Sequence, residues 1–312
     1  MSGDPLWPLL DRFPWLEEMP RVALRTRPTP VDRASDRLWI KRDDLTAEPV
    51  GGNKVRALEF LLARFPRGSR VYTGGSRGST HVLAMEAHAR PLGLNVIAAS
   101  WPQEMNDAAR AVDARLEREM ERRHFRSAVS AAMWLTWQAW RGRQVVPAGG
   151  TSPLGMLGHV NASFELAAQI RDGLLPEPER VVVPLGTGGT AAGLALGFAL
   201  AGLKSIVVGA RVVPRIIARK SRVKRLVRAT VEEIERPPQM KLLFFEQPSV
   251  EIAEGVYGGA YGRALAGAPT VTTTGVPLDS TYSAKAYVVA EQSAREADTL
   301  FWHTFDARWM KQ

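Results

Sequence analysis

The sequence predicts an α/β protein built on a parallel sheet with helices on both faces. Three observations point to this class. Short apolar segments alternate with helix-like segments over most of the chain. The apolar segments lack the in–out alternation of half-exposed strands, as strands covered on both faces do. Glycine-rich turns stand where such a segment ends and a helix begins, the edge at which open α/β sheets hold ligands.

The elements follow in order. The opening MSGDPLWPLLDRFPW has an early Asp4 and three prolines but no basic start or continuous apolar stretch, so no secretory signal is expected. GGNKVRALEFLL, residues 51–62, reads as a glycine turn, a lysine and a helix. RVYTGG reads as a strand into a turn, STHVLAMEAHARPLG as its helix and NVIAAS as the next strand. Residues 103–123, QEMNDAARAVDARLEREMERR, read as one charged helix. In residues 127–143, Trp134, Trp137 and Trp140 recur at helical spacing and read as a core stripe. QVVPAGG, VVVPLG, SIVVGARVV and TLFWHT read as strands; SPLGMLGHVNASFELAAQI, AAGLALGF and STYSAKAYVVAEQSAREA read as helices.

Composition narrows the function classes. With 312 residues, 45% hydrophobic and 23% charged, the chain buries a full core in one large domain or two modest ones. The absence of cysteine removes disulfides and thiolate metal sites and suits a reducing, cytoplasmic compartment. No metal site is expected. Residues 181–203 are uncharged and long enough to span a bilayer. Pro184 and the glycines at 186, 188 and 189 cut that run into strand, loop and helix, so no membrane partner is expected. The net charge of +9 is densest in RVVPRIIARKSRVKRLVR. Ile216, Ile217, Val223, Leu226 and Val227 thread these charges at helical spacing, which favours a solvated helix face over a nucleic-acid surface.

Three loops carry the chemistry. Gly186, Thr187, Gly188, Gly189 and Thr190 end a strand and open a helix, so backbone N–H groups and two hydroxyls are offered to an anion such as phosphate. The loop lacks the Lys-Ser/Thr ending of a Walker motif and the acidic partner of a dinucleotide fingerprint. GGSRGSTH, residues 74–81, offers N–H groups and hydroxyls to a carboxylate. In GGNK, Lys54 stands between a turn and an apolar helix, where lost solvation lowers an amine's pKa and makes it nucleophilic. A reactive lysine and a phosphate cradle suit one cofactor, pyridoxal 5′-phosphate, whose aldehyde condenses with a lysine amine.

WIKRDDLTAEPVGGNKVRALEFLL resembles the cofactor-lysine signature of fold-type II pyridoxal-phosphate enzymes. It is most similar to the family of D-cysteine desulfhydrases and 1-aminocyclopropane-1-carboxylate deaminases. The resemblance continues through TGG, His81, PAGGTSPLGMLGHVNASFEL, VVVPLGTGGTAAGL and LDSTYSAKAY, and is weak between about residues 103 and 141. It implies that Lys54 holds the cofactor beside Asn53 and that residues 186–190 bind its phosphate. It also implies that Thr80 stands for the asparagine facing the phenolic oxygen, that Ser79 meets the substrate carboxylate, and that Tyr261 and Tyr282 face the substrate. Ser283 replaces the deaminases' glutamate near the pyridine nitrogen, and Thr304 replaces their leucine, so both positions resemble the desulfhydrase side. Arg77 adds a cation to its loop, and Phe305-Asp306 replaces a glycine pair.

The resemblance further implies an α/β fold of the tryptophan synthase β type, with two open, twisted, mostly parallel sheets carrying helices on both faces, a large domain from residues 1–56 and 160–312, a small domain from 57–159, and a homodimer. The expected reaction is α,β-elimination from a small amino acid, D-cysteine foremost, giving pyruvate, ammonia and sulfide. The alternatives are a ring-opening deaminase or related lyase and a non-catalytic cofactor-binding scaffold.

Overall fold

The computed structural model describes residues 4–235, 248 and 250–311. Its strands are β1 (Val31–Arg33), β2 (Leu38–Arg42), β3 (Arg70–Ser76), β4 (Asn95–Trp101), β5 (Glu121–His124), β6 (Gln144–Val145), β7 (Arg180–Leu185), β8 (Ile206–Arg211), β9 (Val250–Ala253) and β10 (Thr299–His303). Its helices are α1 (Pro8–Arg12), α2 (Asn53–Leu61), α3 (Thr80–Ala89), α4 (Asp107–Glu119), α5 (Ala128–Trp140), α6 (Pro153–Arg171), α7 (Gly189–Ala201), α8 (Lys220–Ile234) and α9 (Ser283–Ser293).

Two sheets form. One has the order β1-β2-β10-β7-β8-β9, parallel throughout except for the antiparallel edge pair β1–β2. The other, β5-β4-β3-β6, is wholly parallel. The runs without alternation are the central strands: Val181, Val182, Val183 and Leu185 of β7 are all fully buried, and β10 is buried along its length. β-Branched side chains fill both faces of such a strand. The uncharged 181–203 run is β7, the glycine loop and α7, and no helix among the described residues is long and apolar enough to cross a membrane.

Helices α2, α6 and α7 stack beside the first sheet. The approach is close: a Cβ on Gly158 of α6 would stand 1.9 Å from the Arg56 carbonyl oxygen of α2, so only glycine fits there. Beneath α2 lies a fully buried ionic cluster of three cations, Arg25, Lys41 and Arg56, and three carboxylates, Asp43, Glu59 and Glu165. Arg56 binds Asp43 at 2.6 and 2.8 Å and Glu165 at 2.9 and 3.0 Å. Lys41 meets Glu165 at 2.6 Å, and the Trp302 indole N–H donates to Asp43 at 2.7 Å. The cluster ties α2 and α6 to β2 and β10.

Three expectations change. The charged helix read over residues 103–123 ends at Glu119, and Glu121–His124 form β5, drawn into register with Ile97–Ser100 of β4. There Arg122 finds Asp113 at 2.7 Å, an ion pair the helix would have denied it. The tryptophan stripe is not core. Trp134 packs on Tyr72 and Phe125, but Trp137 is 45% and Trp140 83% exposed, because α5 turns only one face to its sheet. On α8, by contrast, Val223, Val227 and Val231 are buried while Lys224, Arg225 and Arg228 face solvent, but Ile216 and Ile217, read as part of the same helix face, lie ahead of α8 and are exposed.

Candidate active site

The carboxyl ends of β3, β4, β7 and β10 open onto one cleft of about 590 Å³. Lys54 lies in the first turn of α2, within that lining. Its neighbours hold the turn in place. The Asn53 backbone N–H donates to the Thr304 carbonyl at 3.0 Å, and the Asn53 side-chain amide donates to the Thr190 hydroxyl at 2.7 Å. Burial alone pushes the Lys54 amine down to about 8, with no carboxylate opposing it. His81, hydrogen-bonded to Thr73 at 3.0 Å, and His159, 3.4 Å from the Thr190 hydroxyl, are both pushed to about 3 by burial and then by the Lys54 charge. Burial therefore keeps both imidazoles neutral and brings the lysine within about one pH unit of losing its proton.

The glycine loop faces the same cleft. Gly188 adopts the left-handed conformation, with φ +93°, at the N-cap of α7, and no side chain caps that helix. A Cβ on Gly186 would meet nothing within 4 Å, so the loop leaves open space where an anion would sit. The Thr187 hydroxyl pairs with that of Thr151 at 2.6 Å, and Arg222 Nε donates to the Thr187 carbonyl at 3.0 Å. An uncapped helix N-terminus with glycine-thinned walls suits a phosphate, and an unpaired, desolvated amine suits an aldehyde. The donor set fits pyridoxal phosphate.

Ser79 caps α3, accepting from the Val82 N–H at 3.4 Å, and lines the cleft together with Thr80. Tyr261 and Tyr282 hydrogen-bond to each other through their hydroxyls, with ring centroids 6.2 Å apart. The Tyr282 hydroxyl also meets Thr80, and that of Tyr261 meets Ser76. Burial raises both phenols, Tyr282 well above its ordinary value because Tyr261 adds to the effect, so both keep their protons at neutral pH. Tyr261 is carried by a strap, residues 257–263, fastened to residues 103–106. The Glu104 N–H donates to the Tyr261 carbonyl at 3.3 Å, the Asn106 amide to the Gly262 carbonyl at 2.6 Å, and Arg263 pairs with Glu104 at 2.9 Å. Gly262, at φ +92°, would place a Cβ 2.1 Å from the Glu104 carbonyl oxygen.

Asn53, Lys54, Ser79, Thr80, Gly186 to Thr190, Tyr261, Tyr282 and Thr304 thus share one cavity. Ser283 stands apart. Its hydroxyl donates to the Asp279 carboxylate and accepts from the Asp279 N–H at 2.7 Å, and it is not in the lining. Arg77 is not a cation of the cavity either, because it turns to Asp113 at 2.6 Å. Sequence reasoning missed Ser76, Gln103, Thr151 and Asp279. Asp279 had a signal: its carboxylate accepts the N–H groups of Thr281, Tyr282 and Ser283 at 2.8 to 3.0 Å, the usual work of an Asp just ahead of a helix. The others had none.

Comparisons with known proteins identify the family. The family described as pyridoxal-phosphate dependent enzyme matches residues 22–304. The chain is 34% identical to nocardicin C-9′ epimerase of Nocardia uniformis subsp. tsuyamanensis, over 93% of this chain and 94% of the relative. It is 29% identical to D-cysteine desulfhydrase of Klebsiella pneumoniae subsp. pneumoniae, over 93% and 94%. A crystal structure of an ACC deaminase homologue superposes with a TM-score of 0.77 at 26% identity, covering 95% of this chain and 94% of the other. The chain belongs to the fold-type II pyridoxal-phosphate-dependent enzymes, and pyridoxal 5′-phosphate is its cofactor.

Proposed function

We propose that the cleft removes the α-proton of an amino acid and expels its β-substituent, in the manner of a D-cysteine desulfhydrase. The observation that carries this reading is the unpaired Lys54 amine in one cavity with the protonated Tyr261–Tyr282 pair. When bound, the cofactor supplies an electron sink for the substrate's α-carbon. Lys54 would anchor it, the N–H groups and hydroxyls of residues 186–190 would hold its phosphate, and Asn53 and Thr80 would fix its ring. Ser283, expected near the ring nitrogen, is engaged by Asp279, while Thr304 lines the cavity and would be the hydroxyl left to face the cofactor. Ser79 and the N–H groups at the start of α3 grip the substrate carboxylate. Lys54, whose amine burial lowers to about 8, accepts the α-proton as general base in its neutral form. Tyr261 and Tyr282 protonate the departing group.

The test compares absorption of the protein and Lys54→Ala, each with added pyridoxal phosphate, then offers D-cysteine. A near-visible band in the wild type alone, and pyruvate and sulfide in equal amounts, is the expected outcome. Solvent exchange of the α-proton without pyruvate would sink the elimination reading. It would favour epimerisation, a second reading that rests on the 34% identity to nocardicin C-9′ epimerase. A serine at 283, where ring-opening deaminases have glutamate, speaks against 1-aminocyclopropane-1-carboxylate. A band unmoved by any amino acid would leave the non-catalytic scaffold.

We also propose the division into residues 1–56 with 160–312 and residues 57–159, with the cleft between. The separate strand sets of the two sheets support it, although both boundaries run through helices, α2 and α6. A homodimer in the cytoplasm completes the reading; sedimentation tests the first part and fractionation the second.

A further inference from the structure

The cavity wall extends past the groups assigned to the cofactor and the substrate carboxylate. Trp101, Pro102, Val213, Pro214, Ile217 and Tyr257 line it together with the groups assigned above. The Trp101 ring closes over the β3 end, where a Cβ on Gly74 would stand 3.2 Å from it. Across the described residues nothing covers Ile217, which is 37% exposed at the rim. A cleft wall of this kind has unspent apolar surface, and such surface marks a ligand's place.

Polar groups interrupt this wall at Gln103 and at Glu104, the latter paired with Arg263. Gln103 Oε1 accepts from the Ser76 hydroxyl at 2.6 Å, and Ser76 in turn meets the hydroxyl of Tyr261. Gln103 Nε2 is buried and has no partner among the described residues. A buried amide donor left unmade costs stability, so its retention beside a cavity calls for a ligand atom. Through Ser76 the amide is wired to the tyrosine pair, the side from which the departing group takes its proton. An N–H donor placed there also stabilises negative charge growing on that group.

We propose that the substrates are cysteine thioethers, amino acids whose β-sulfur carries an apolar substituent, with the substituent between Trp101 and Ile217 and the sulfur facing Gln103 Nε2. The proposal rests on the elimination reading and names its leaving group. The Cβ–S bond breaks, its electron pair stays on sulfur, and the thiolate takes a proton from the tyrosine pair. In sum, R–S–CH2–CH(NH3+)–CO2− and water give R–SH, pyruvate and NH4+.

The holoenzyme is titrated with D-cysteine, S-methyl-D-cysteine and S-benzyl-D-cysteine and their L-forms. Binding is read from the cofactor band, and turnover from pyruvate and free thiol. S-benzylcysteine of one hand is expected to bind about tenfold or more tighter than the S-methyl compound, the effect of burying a ring, and to release thiol and pyruvate one to one. Ile217→Glu should erase that advantage. Gln103→Leu should lower kcat for thioethers with the band shift on binding retained, a split that simple loss of packing would not give. Turnover of D-cysteine with no tighter binding of the benzyl compound overturns the thioether assignment and leaves the elimination reading standing. Band shifts without pyruvate from any of them overturn both.

Discussion

Lys54 owes its character to desolvation. With no carboxylate to hold its proton, the amine sits near 8 where an exposed lysine sits at 10.5. The neutral form is the nucleophile, so the rate at which the apoprotein takes up pyridoxal phosphate should rise with pH and level off above about 8. Stopped-flow absorbance between pH 6.5 and 9.5 measures it, and a rate still climbing tenfold per unit at pH 9.5 would contradict the burial argument. This residue was legible in the sequence because GGNK places a lysine at a glycine turn ahead of an apolar helix. So were residues 186–190 and Ser79, since a helix N-terminus has a local signature. Gln103, Thr151 and Ser76 were not legible. Their roles come from neighbours distant in sequence, such as Thr187 for Thr151, and no short pattern encodes that. Ser283 lies outside the cavity for a local reason, the Asp279 carboxylate four residues before it, which takes up its hydroxyl at the start of α9.

At the scale of elements, the ionic cluster holds α2 at its angle and so aims Lys54. Glu165 receives Arg25, Lys41 and Arg56 at 2.6 to 3.0 Å, and their charges hold its carboxyl well below the ordinary range despite burial. Glu165→Gln would leave three buried cations facing two carboxylates. Breaking a buried pair on one side costs about 3–5 kcal/mol. The expected result is a lower denaturant midpoint with an unchanged slope; a loss under about 1 kcal/mol would mean that the cluster relaxes around the change. Glycine turns and unbroken apolar runs made most strands and helices readable. The exceptions are instructive. β5 is written ERRH, a sequence with helix-forming charges, and becomes a strand only because β4 offers an open edge. The outer face of α5 carries tryptophan, and spacing alone cannot tell a stripe turned inward from one turned out.

For the whole molecule, burial of titratable groups writes a pH profile. His81 and His159 fall to about 3 from 6.5, and His88 and His303 are lowered in the same direction. The unfolded chain therefore binds more protons than the folded one below pH 6.5, so stability is complete above that pH and drains away toward pH 3. Lys41, Lys54 and Lys285, each near 8 instead of 10.5, add a second climb as pH rises from about 8. The raised tyrosines Tyr261 and Tyr282 reverse it above pH 10, and the raised carboxyls Glu59, Glu86 and Glu291 work against the histidines above pH 4.5. Urea unfolding of the apoprotein across pH 4 to 10 should show both climbs. A flat profile between 4.5 and 6.5 would mean that the histidines gain protons without unfolding.

Helix α2 puts Phe60 among the side chains packed on α6 and α7, and Leu58 and Leu61 among those packed on β3 and β4. Its Glu59 reaches back to Arg25, and its Arg56 to Glu165. No cut through the chain near residue 57 separates one core from the other, so neither part is a module that could be lent to another protein. A fragment beginning there would lose the Arg56 half of the cluster and strand Glu59 without Arg25. The lysine at the head of α2 is therefore set by both cores at once, and substitutions that loosen either one reach the chemistry through the same nine-residue helix.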